Sequence, residues 1–317
     1  MRVYFTRIYE NLLAIAYVSR KVLCGKSPAV VAYPIMRLRS RNPKTFNEKI
    51  LYKMARDRRE ILSLVADKLA VRDYVAKKVG EQYLTKLYKV YGQNLDFDFS
   101  KLPRSFVLKP NHGSGAALIV ADFVPEFLSP PKFSTRIFRK YYVNPASLDV
   151  EAITRLASFW IRTSYYKYHR TGYPEWGYKN IKPSVFAEEL LVENDSPPQD
   201  FRFFVFNGVC EAIMVDTPGY GGVRRDVYST SWEKLNVSFA YKNSDVDRSK
   251  PINLTEMIDV AERLAEDLDH ARIDLYNVDG RIVFGEITNY HAGGTQKFFP
   301  MSFDLELGRN WKPYEFY

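Results

Sequence analysis

The stretch ARIDLYNVDGRIVFGEIT, residues Ala271–Thr288, decides the predicted fold. Alternating apolar residues on either side of an Asp-Gly pair predict a β-hairpin, with strands over Arg272–Asn277 and Arg281–Thr288. Each predicted strand contains one acidic residue, Asp274 in the first and Glu286 in the second. The register of the hairpin therefore determines whether these two carboxylates lie on the same face.

The length of the loop sets that register. A two-residue loop, Asp279-Gly280, would pair Asp274 with Gly285 and turn Glu286 to the opposite face. A three-residue loop would pair Asp274 with Phe284 and leave Glu286 on the same face, because side chains alternate along a strand. The sequence leaves both registers open.

The residues that end the second strand offer a further oxygen. Thr288 and Asn289 follow Glu286 closely, and Mg²⁺ binds proteins through a few carboxylate or other oxygen ligands while phosphate and water complete its shell. We therefore predict a magnesium site formed by Asp274, Glu286 and an oxygen of residue 288 or 289. A surface hairpin with solvated acids is the alternative.

Composition restricts the class of protein. The chain has 317 residues, 46% of them hydrophobic and 26% charged, which is typical of a soluble globular protein. Its net charge of +9 indicates an anionic partner. The two cysteines, Cys24 and Cys210, lack metal-ligand spacing and favour a reducing compartment, so we expect a cytoplasmic protein.

The N-terminal segment is amphipathic. Its apolar run, Leu12–Val18, is too short to span a bilayer and is flanked by charged residues. Apolar residues recur near it at helical spacing among arginines and lysines. We predict that residues 1–23 dock against the body of the protein, with peripheral contact at the inner face of a membrane as the alternative.

The order of predicted elements indicates an α+β protein. Residues 1–101 are predicted to be mostly helical, and Thr45 and Glu48 form a capping box before the first helix. After residue 102 the pattern changes to strands with helices between them, which predicts two lobes, 102–190 and 191–317. The predicted helices cover Phe46–Arg56, Glu60–Val79, Asp149–Tyr168 and Leu254–Leu268, and the further strands cover Ser105–Pro110, Ala117–Asp122, Val185–Val192, Phe201–Phe206 and Val209–Asp216.

A phosphate-binding pattern follows the first of these strands. Lys109 lies on this strand, and the next loop contains Gly113-Ser114-Gly115, whose backbone N–H groups can turn toward an anion. The spacing does not match a P-loop or a dinucleotide fingerprint. His169-Arg170-Thr171 lacks the catalytic aspartate of protein kinases, which argues against that class. A tight turn with a surface lysine is the alternative.

Two more segments suggest nucleotide or glycan contacts. Glu188, Glu189 and the following leucines up to Leu191 suit a hinge that takes an adenine edge, and Asp200 can accept from ribose hydroxyls. Each is also compatible with acids that border a buried strand. The aromatic and basic residues of 159–178 can stack on bases or sugar rings, or can form core on one face and solvated charge on the other.

In this order, the motifs resemble those of the ATP-grasp superfamily, and more closely its TupA-like branch, associated with teichuronopeptide biosynthesis. The phrases that support the resemblance lie between residues 42 and 288 and are NPKTFNEKI, VADKLAVRDYV, FVLKPNHGSG, YKNIKPSVFAEELL, DFRFFVFNG and ARIDLYNVDGRIVFGEIT. The resemblance implies two α+β lobes that clasp ATP and Mg²⁺, and the ligation of a carboxylate to an amine through an acyl-phosphate.

The resemblance also implies residue roles. Lys68 and Lys109 would hold the ATP phosphates under the loop Gly113–Gly115, residues 188–191 would form the adenine hinge, and Asp200 would accept from the ribose. The mobile loop that shields the site would be 111–116. The transferred phosphoryl would face Arg272, with Arg225 as the second cation and Arg224 as its rival.

The metal ligands depart from the family pattern at one place. The family's usual ending is Glu-x-Asn, whereas here Thr288 occupies the Asn position and Asn289 follows it. Either the threonine oxygen binds the metal or a local bulge presents Asn289. The implied carboxylate ligands remain Asp274 and Glu286.

The sequence thus predicts an ATP-grasp carboxylate–amine ligase of cell-surface polysaccharide assembly. The expected partners are an acidic sugar or peptide acceptor, met by His291 and the following glycines, and the amine of an amino acid. A sugar transferase or kinase component of the same pathway is the alternative. No nucleic-acid partner is expected, and a nucleic-acid binder would show a steep loss of affinity with salt.

Overall fold

The computed structural model describes residues 42–94, 96–126, 138–167, 175–218 and 222–314. The prediction for residues 1–23 therefore lies outside the described part of the chain. Helix α1, Phe46–Arg56, begins at the predicted capping box, where Thr45 Oγ1 accepts from Glu48 N at 3.3 Å and Glu48 Oε2 accepts from Thr45 N at 3.1 Å. The predicted bounds of this helix are confirmed.

The helix predicted over Glu60–Val79 is wrong as a single element. Two helices occupy this region, α2 at Ile61–Ala66 and α3 at Ala70–Lys78. Between them Asp67 Oδ1 accepts hydrogen bonds from Leu69 N at 2.9 Å and Ala70 N at 3.3 Å. An aspartate that binds nearby backbone amides competes with helical hydrogen bonding, so the chain turns here. The turn carries Lys68, which faces the first sheet.

The first sheet has the strand order β1-β5-β2-β3-β4. The strands β3 and β4 are parallel and the other neighbouring pairs are antiparallel. Helix α4, Val150–Arg162, packs its buried face on this sheet. The strands β1 and β4 were not predicted, and β1 lies within the region predicted to be mostly helical. The strands cover Leu87–Tyr91 (β1), Phe106–Pro110 (β2), Ala117–Val120 (β3), Lys140–Val143 (β4) and Val185–Glu188 (β5).

The second sheet is antiparallel throughout, in the order β10-β9-β6-β7-β8. Helix α5, Leu254–Ala265, packs against it, and the helices α1, α2 and α3 share the same hydrophobic core. The strand β8 was not predicted. The strands cover Asp200–Phe206 (β6), Val209–Thr217 (β7), Arg224–Tyr228 (β8), His270–Val278 (β9) and Arg281–Thr288 (β10).

Helix α1 is fixed to the second sheet by a buried ion pair. Lys53 Nζ lies 2.8 Å from Asp269 Oδ1, and both side chains are fully buried. Trp311, after the last helix α6 (Ser302–Asn310), donates to the second oxygen of the same carboxylate at 2.8 Å. The first and last helices of the described chain therefore pack together beside β9.

The β9–β10 hairpin has a two-residue loop. Val278 pairs with Arg281, and between them Asp279 and Gly280 have φ values of 50° and 85°. Positive φ at both central residues is typical of the tightest hairpin turns. The three-residue alternative is therefore wrong.

A bulge in β10 nevertheless brings the two acids together. Phe284 pairs with Leu275, whereas Glu286 pairs with Asp274, so Gly285 is the additional residue of the bulge. Neither predicted pairing of Asp274 occurs. The extra residue reverses the alternation of side chains, and Glu286 returns to the face that Asp274 occupies.

Within the described ranges, no helix is both long enough and apolar enough to cross a membrane.

Candidate active site

A cleft of about 470 Å³, including space open to solvent, lies between the first sheet, the α2–α3 turn and the bulge of β10. Its walls combine apolar side chains with cations and acids. This mixture suits a ligand with one flat apolar part and one highly charged part. The lining residues are Val65, Ala66, Lys68, Val71, Arg72, Thr85, Lys109, Tyr178, Phe186, Glu188, Phe284, Gly285, Glu286 and Ile287.

Lys68 connects the glycine loop to strand β10. Its Nζ donates to the carbonyl oxygen of Gly113 at 2.7 Å and lies 3.9 Å from Glu286 Oε2. Burial lowers the pKa of Lys68, and the nearby Lys109 lowers it further while Glu286 opposes both. Two lysines that repel each other in a cleft favour the binding of a multiply charged anion.

Lys109 is held by Glu188. The Lys109 Nζ lies 2.6 Å from Glu188 Oε1, and the other oxygen of Glu188 accepts from Thr85 at 2.6 Å and lies 3.5 Å from Arg72. Burial of Glu188 tends to raise its pKa, but Lys109, Thr85 and Arg72 outweigh burial and lower it. Glu188 is therefore a buried anion that positions two cations at the cleft.

The rest of the predicted hinge points elsewhere. Glu189 accepts from Arg281 at 2.8 Å and from Lys86 N at 3.0 Å, which links the first sheet to the loop of the β9–β10 hairpin. Leu191 is half-buried and does not line the cleft. An adenine contact from residues 188–191 stays a prediction, and it would have to use the backbone because the Glu188 oxygens already have partners.

The glycine loop is anchored at its first two residues. Asn111 donates to Asp67 Oδ1 at 3.0 Å and accepts from Ser184 N at 2.8 Å, and both Asn111 and His112 are buried. Lys68 N in turn donates to the Asn111 carbonyl at 2.9 Å. These contacts fix the base of the loop that we predicted to close over the site.

The tip of the loop is more open. Ser114 and Gly115 are exposed, and Gly113 and Gly115 adopt φ values of 105° and 76°. A Cβ at residue 113 would lie 2.7 Å from the ring of Tyr165, so this position excludes a side chain. Closure of this tip over a phosphate stays a prediction.

The predicted metal ligands converge on one cation of the protein itself. Arg272 Nη2 lies 2.6 Å from Asp274 Oδ2, 3.2 Å from Glu286 Oε1 and 3.0 Å from Thr288 Oγ1. Three oxygens from two strands thus surround one positive point, and oxygen is the ligand type that hard cations take. The donor set fits Mg²⁺.

The pKa values of Asp274 and Glu286 depend on the cations that surround them. Burial raises the pKa of Asp274, and Arg272 and Arg202 oppose that effect. Burial tends to raise the pKa of Glu286 too, but Lys68, Arg272 and Arg202 lower it to about 2. Glu286 is thus ionised at neutral pH and available as a ligand.

Asn289 is not in this group. Its Nδ2 donates to the carbonyl oxygen of Leu62 on α2 at 3.1 Å, and the side chain is buried. Thr288 instead pairs with Arg272 across the strands and lies 3.2 Å from Glu286. Of the two alternatives for the third oxygen, the geometry favours Thr288. Within the described part of the chain, no three or more His, Cys, Asp or Glu side chains are arranged so that they alone could hold a metal ion.

A row of alternating charges extends from this point across the second sheet. Arg202 on β6 lies 3.5 Å from Asp274, 2.6 Å from Asp200 and 3.2 Å from Asp216. Asp216 on β7 also accepts two hydrogen bonds of 2.6 Å from Arg225 on β8. The cross-strand register places all these side chains on one face.

The two candidate arginines of β8, Arg224 and Arg225, lie on opposite faces of the second sheet. Arg225 lies on the face of Asp216, with its guanidinium 5.0 Å from the ring centroid of Phe239 and 4.7 Å from that of Tyr241. Arg224 is turned to the other face by strand alternation, and its Nη1 lies 3.5 Å from the carbonyl oxygen of Asn243. A catalytic role for Arg225 stays a prediction.

Asp200 has one oxygen for a further donor. Its Oδ2 accepts from Arg202, whereas its Oδ1 is buried and accepts no hydrogen bond from the described residues. A ribose hydroxyl is the donor that the sequence predicts for this residue.

His291 is not placed to meet an acidic acceptor, contrary to the sequence-based expectation. It is 3% exposed and packs among the rings of Phe46, Phe204 and Phe298. Its Nδ1 lies 3.0 Å from Arg272 Nη1, and because an arginine can only donate, the imidazole accepts. Burial, and then Arg272, lower the pKa of His291 well below its usual range, so the ring is neutral.

Sequence reasoning missed four residues at this site: Arg72, Glu175, Arg202 and Asp216. The spacing Asp200-x-Arg202 on a strand is the reverse of Arg272-x-Asp274 and could have revealed Arg202. Burial and the neighbouring Glu286 raise the pKa of Glu175 to about 7. Among the aromatic residues of 159–178, for which stacking and a core role were both left open, Trp160 is fully buried and belongs to the core.

The bulge provides a first test of this geometry. A Cβ at Gly285 would lie 3.0 Å from the Asp274 carbonyl oxygen and 3.1 Å from the ring of Tyr276. We expect Gly285→Val to lower the free energy of unfolding by about 1–3 kcal/mol and to weaken ATP binding, because the strand must shift. Urea denaturation and calorimetric titration measure the two effects.

Gly92→Val is the matched control for this variant. A Cβ at residue 92 would meet its nearest atom at 3.6 Å, which is an ordinary contact. If Gly285→Val behaved like this control in both measurements, the close approach at the bulge would not constrain the site.

Comparison with protein families identifies the fold. A family model described as TupA-like ATPgrasp matches residues 48–312. The match covers most of the chain, and the protein therefore belongs to the TupA-like ATP-grasp family. The predicted α+β ATP-grasp fold is confirmed. No curated protein matches the sequence.

The solved structures that match this chain are distant. D-alanine–D-alanine ligase from Bacillus anthracis matches with a TM-score of 0.40 and 14% identity, over 72% of this chain and 59% of that one. The ATP-grasp ligase PsnB, complexed with minimal precursor, matches with a TM-score of 0.36 and 11% identity, over 73% of this chain and 53% of that one. N5-carboxyaminoimidazole ribonucleotide synthetase from Thermus thermophilus matches with a TM-score of 0.37 and 11% identity, over 74% of this chain and 48% of that one. The chain thus spans about half to three-fifths of the length of these proteins.

Proposed function

We propose that this member of the TupA-like ATP-grasp family is a Mg²⁺- and ATP-dependent ligase that joins a carboxylate to an amine through an acyl-phosphate. The observation that supports the proposal most strongly is the convergence of Asp274, Glu286 and Thr288 oxygens on one cation. Lys68 lies beside this point, 3.9 Å from Glu286. A divalent cation and a basic cleft together suit a nucleoside triphosphate.

Each group of residues has a proposed task in the reaction. Lys68 and Lys109 bind the triphosphate, and the apolar walls of the cleft, with the 188–191 backbone, take the adenine. Asp274, Glu286 and Thr288 hold Mg²⁺, which when bound neutralises charge on the phosphate oxygens. Arg272 donates hydrogen bonds to the transferred phosphoryl group, where charge spreads in the transition state.

The proposed chemical classes of the acid and the amine are based on net charge and on family resemblance. The net charge of +9 favours an anionic acceptor. We propose a uronic-acid polymer or another acidic acceptor, joined to the amine of an amino acid, within cell-surface polysaccharide biosynthesis. We place this activity in the cytoplasm, where ATP is supplied.

The test is a coupled assay of ADP release with Mg²⁺, ATP, oligogalacturonate or oligoglucuronate, and single amino acids. The proposal predicts release only when both acid and amine are present, with the amide detected by mass spectrometry. ADP release with the sugar alone and a phosphorylated sugar product would identify a kinase. Product formation that survives loss of ATP binding in Lys109→Ala would favour a sugar transferase.

The contact between His291 and Arg272 allows a test of how Arg272 is positioned. His291→Phe keeps an aromatic ring among Phe46, Phe204 and Phe298 but removes the acceptor for Arg272 Nη1. We expect kcat to fall about 10- to 100-fold, as is usual for partners that orient a catalytic group, with little change in ATP affinity.

His291→Asn is the matched variant because its amide oxygen can accept from Arg272. We expect it to recover much of the lost kcat. Equal losses in the two variants would show that His291 contributes packing and not a hydrogen bond.

A further inference from the structure

The three predicted metal ligands all bind the same guanidinium. Arg272 donates from Nε and Nη2 to the two oxygens of Asp274, at 2.7 and 2.6 Å, and Nη2 also reaches Glu286 and Thr288. The Arg272 side chain is 8% exposed, and that of Asp274 is 4% exposed. A buried bidentate arginine–carboxylate pair is among the stronger polar interactions in proteins.

We propose that Arg272 is the resident cation of this metal site, so that a divalent cation binds tightly only together with a nucleotide that gives the guanidinium another anion. The inference rests on the proposed function, since it takes Asp274, Glu286 and Thr288 as the metal ligands. It goes further by assigning Arg272 a second task, which is to keep the site closed to metal while the nucleotide is absent.

Charge balance supports the proposal. Asp274 and Glu286 contribute two negative charges, and Arg272 with Lys68, 3.9 Å from Glu286, contributes two positive charges. Arg202 is another positively charged neighbour, and its Nε lies 3.5 Å from Asp274 Oδ2. A metal ion that arrived alone would meet carboxylates that are already neutralised and would have to displace a guanidinium with no other anion to bind. A triphosphate supplies that anion.

The structure also shows what would retain Arg272 during such an exchange. Its Nη1 donates to His291 Nδ1 at 3.0 Å, an atom pair that none of the metal ligands uses. His291 is buried among aromatic rings, in a turn where Ala292, Gly293 and Gly294 all have positive φ. The guanidinium therefore keeps one fixed partner when Nε and Nη2 change theirs, and it stays beside the site.

The test measures Mn²⁺ binding by electron paramagnetic resonance in the absence of nucleotide. We expect wild-type protein to bind Mn²⁺ weakly and Arg272→Met to bind at least about tenfold more tightly, because a unit charge next to the ligands is removed. Wild type and variants are compared at the same pH and ionic strength.

Two further variants make the result specific. Arg224→Met removes the same charge from the opposite face of β8 and is expected to leave Mn²⁺ binding unchanged. Adding Asp274→Asn to Arg272→Met is expected to abolish the gain, which assigns the new affinity to this site.

Two results would overturn the proposal. One is tight nucleotide-free binding of Mn²⁺ by wild-type protein at a site that Asp274→Asn removes, and this result needs no arginine variant to fold. The other is a folded Arg272→Met protein with no gain in affinity. Mn²⁺ taken up by wild type with ATP would leave the proposed function standing in either case, whereas no uptake with ATP at all would count against the proposed function itself.

Discussion

Asp274→Asn is expected to lower ATP-dependent ADP release about 10³-fold or more. The substitution keeps the shape of the side chain but removes the carboxylate that faces both Arg272 and Arg202. Without it the metal ligands lose one of two negative charges, and the arginine that we assign to the phosphoryl group loses its bidentate partner. Steady-state kinetics with saturating ATP and Mg²⁺ measure the effect.

The same hairpin offers the control. Asp279→Asn makes the identical chemical change in the exposed loop, where φ is 50° and asparagine is well tolerated. We expect this variant to retain wild-type activity. If Asp274→Asn also retained activity within about tenfold, the assignment of the metal site would be wrong.

The second large effect is expected from replacing Lys109, which lies on β2. Lys109→Met removes a cation that lies 2.6 Å from the buried Glu188, and we expect ATP affinity to fall about 100-fold or more because a charged phosphate contact is lost. We also expect a loss of stability, because truncating one partner of a buried pair leaves the other charge less compensated. Calorimetric titration and thermal unfolding separate the two effects.

A double variant tests this separation. Adding Glu188→Gln to Lys109→Met removes the uncompensated charge, while the amide still accepts from Thr85, which lies 2.6 Å from the carboxylate in the wild type. We expect stability to recover and ATP affinity to stay low. Recovery of ATP affinity in the double variant would show that Lys109 serves Glu188 and not the nucleotide.

The sequence predicted the parts of the fold that depend on local patterns. The capping box of Thr45 and Glu48 determines the start of α1, and short apolar segments indicated β2, β6 and β7. The helix break at Asp67 was missed because it depends on side-chain hydrogen bonds to Leu69 and Ala70 that helical periodicity does not record. The strand β1 was missed because its pattern is mixed and three of its five residues are exposed.

The hairpin shows how two acids can lie together although neither predicted register occurs. Two loop lengths were left open, and only the three-residue loop was expected to place the two acids on one face. The loop has two residues, and Gly285 provides the bulge that brings the acids together. A glycine inside a strand is a known signal for a bulge or a close backbone approach, and both occur here. The sequence contained the signal, and the prediction did not use it.

The roles of Glu188 and His291 depend on contacts between distant parts of the chain. Glu188 was assigned to adenine, whereas its carboxylate binds Lys109 of a neighbouring strand. His291 was assigned to the acceptor, whereas it supports Arg272 from 19 positions away in sequence. Periodicity assigns a face to a residue, but it does not identify the partner that the residue meets there.

The proposed chemistry makes one direct prediction about atoms. If a carboxylate oxygen attacks the γ-phosphoryl group and the amine then displaces phosphate, one oxygen of the acid leaves with that phosphate. With ¹⁸O-labelled uronic-acid carboxylate, ATP, Mg²⁺ and an amino acid, mass spectrometry is expected to show one ¹⁸O in each phosphate released as amide forms. Unlabelled phosphate, or AMP in place of ADP, would contradict an acyl-phosphate ligase.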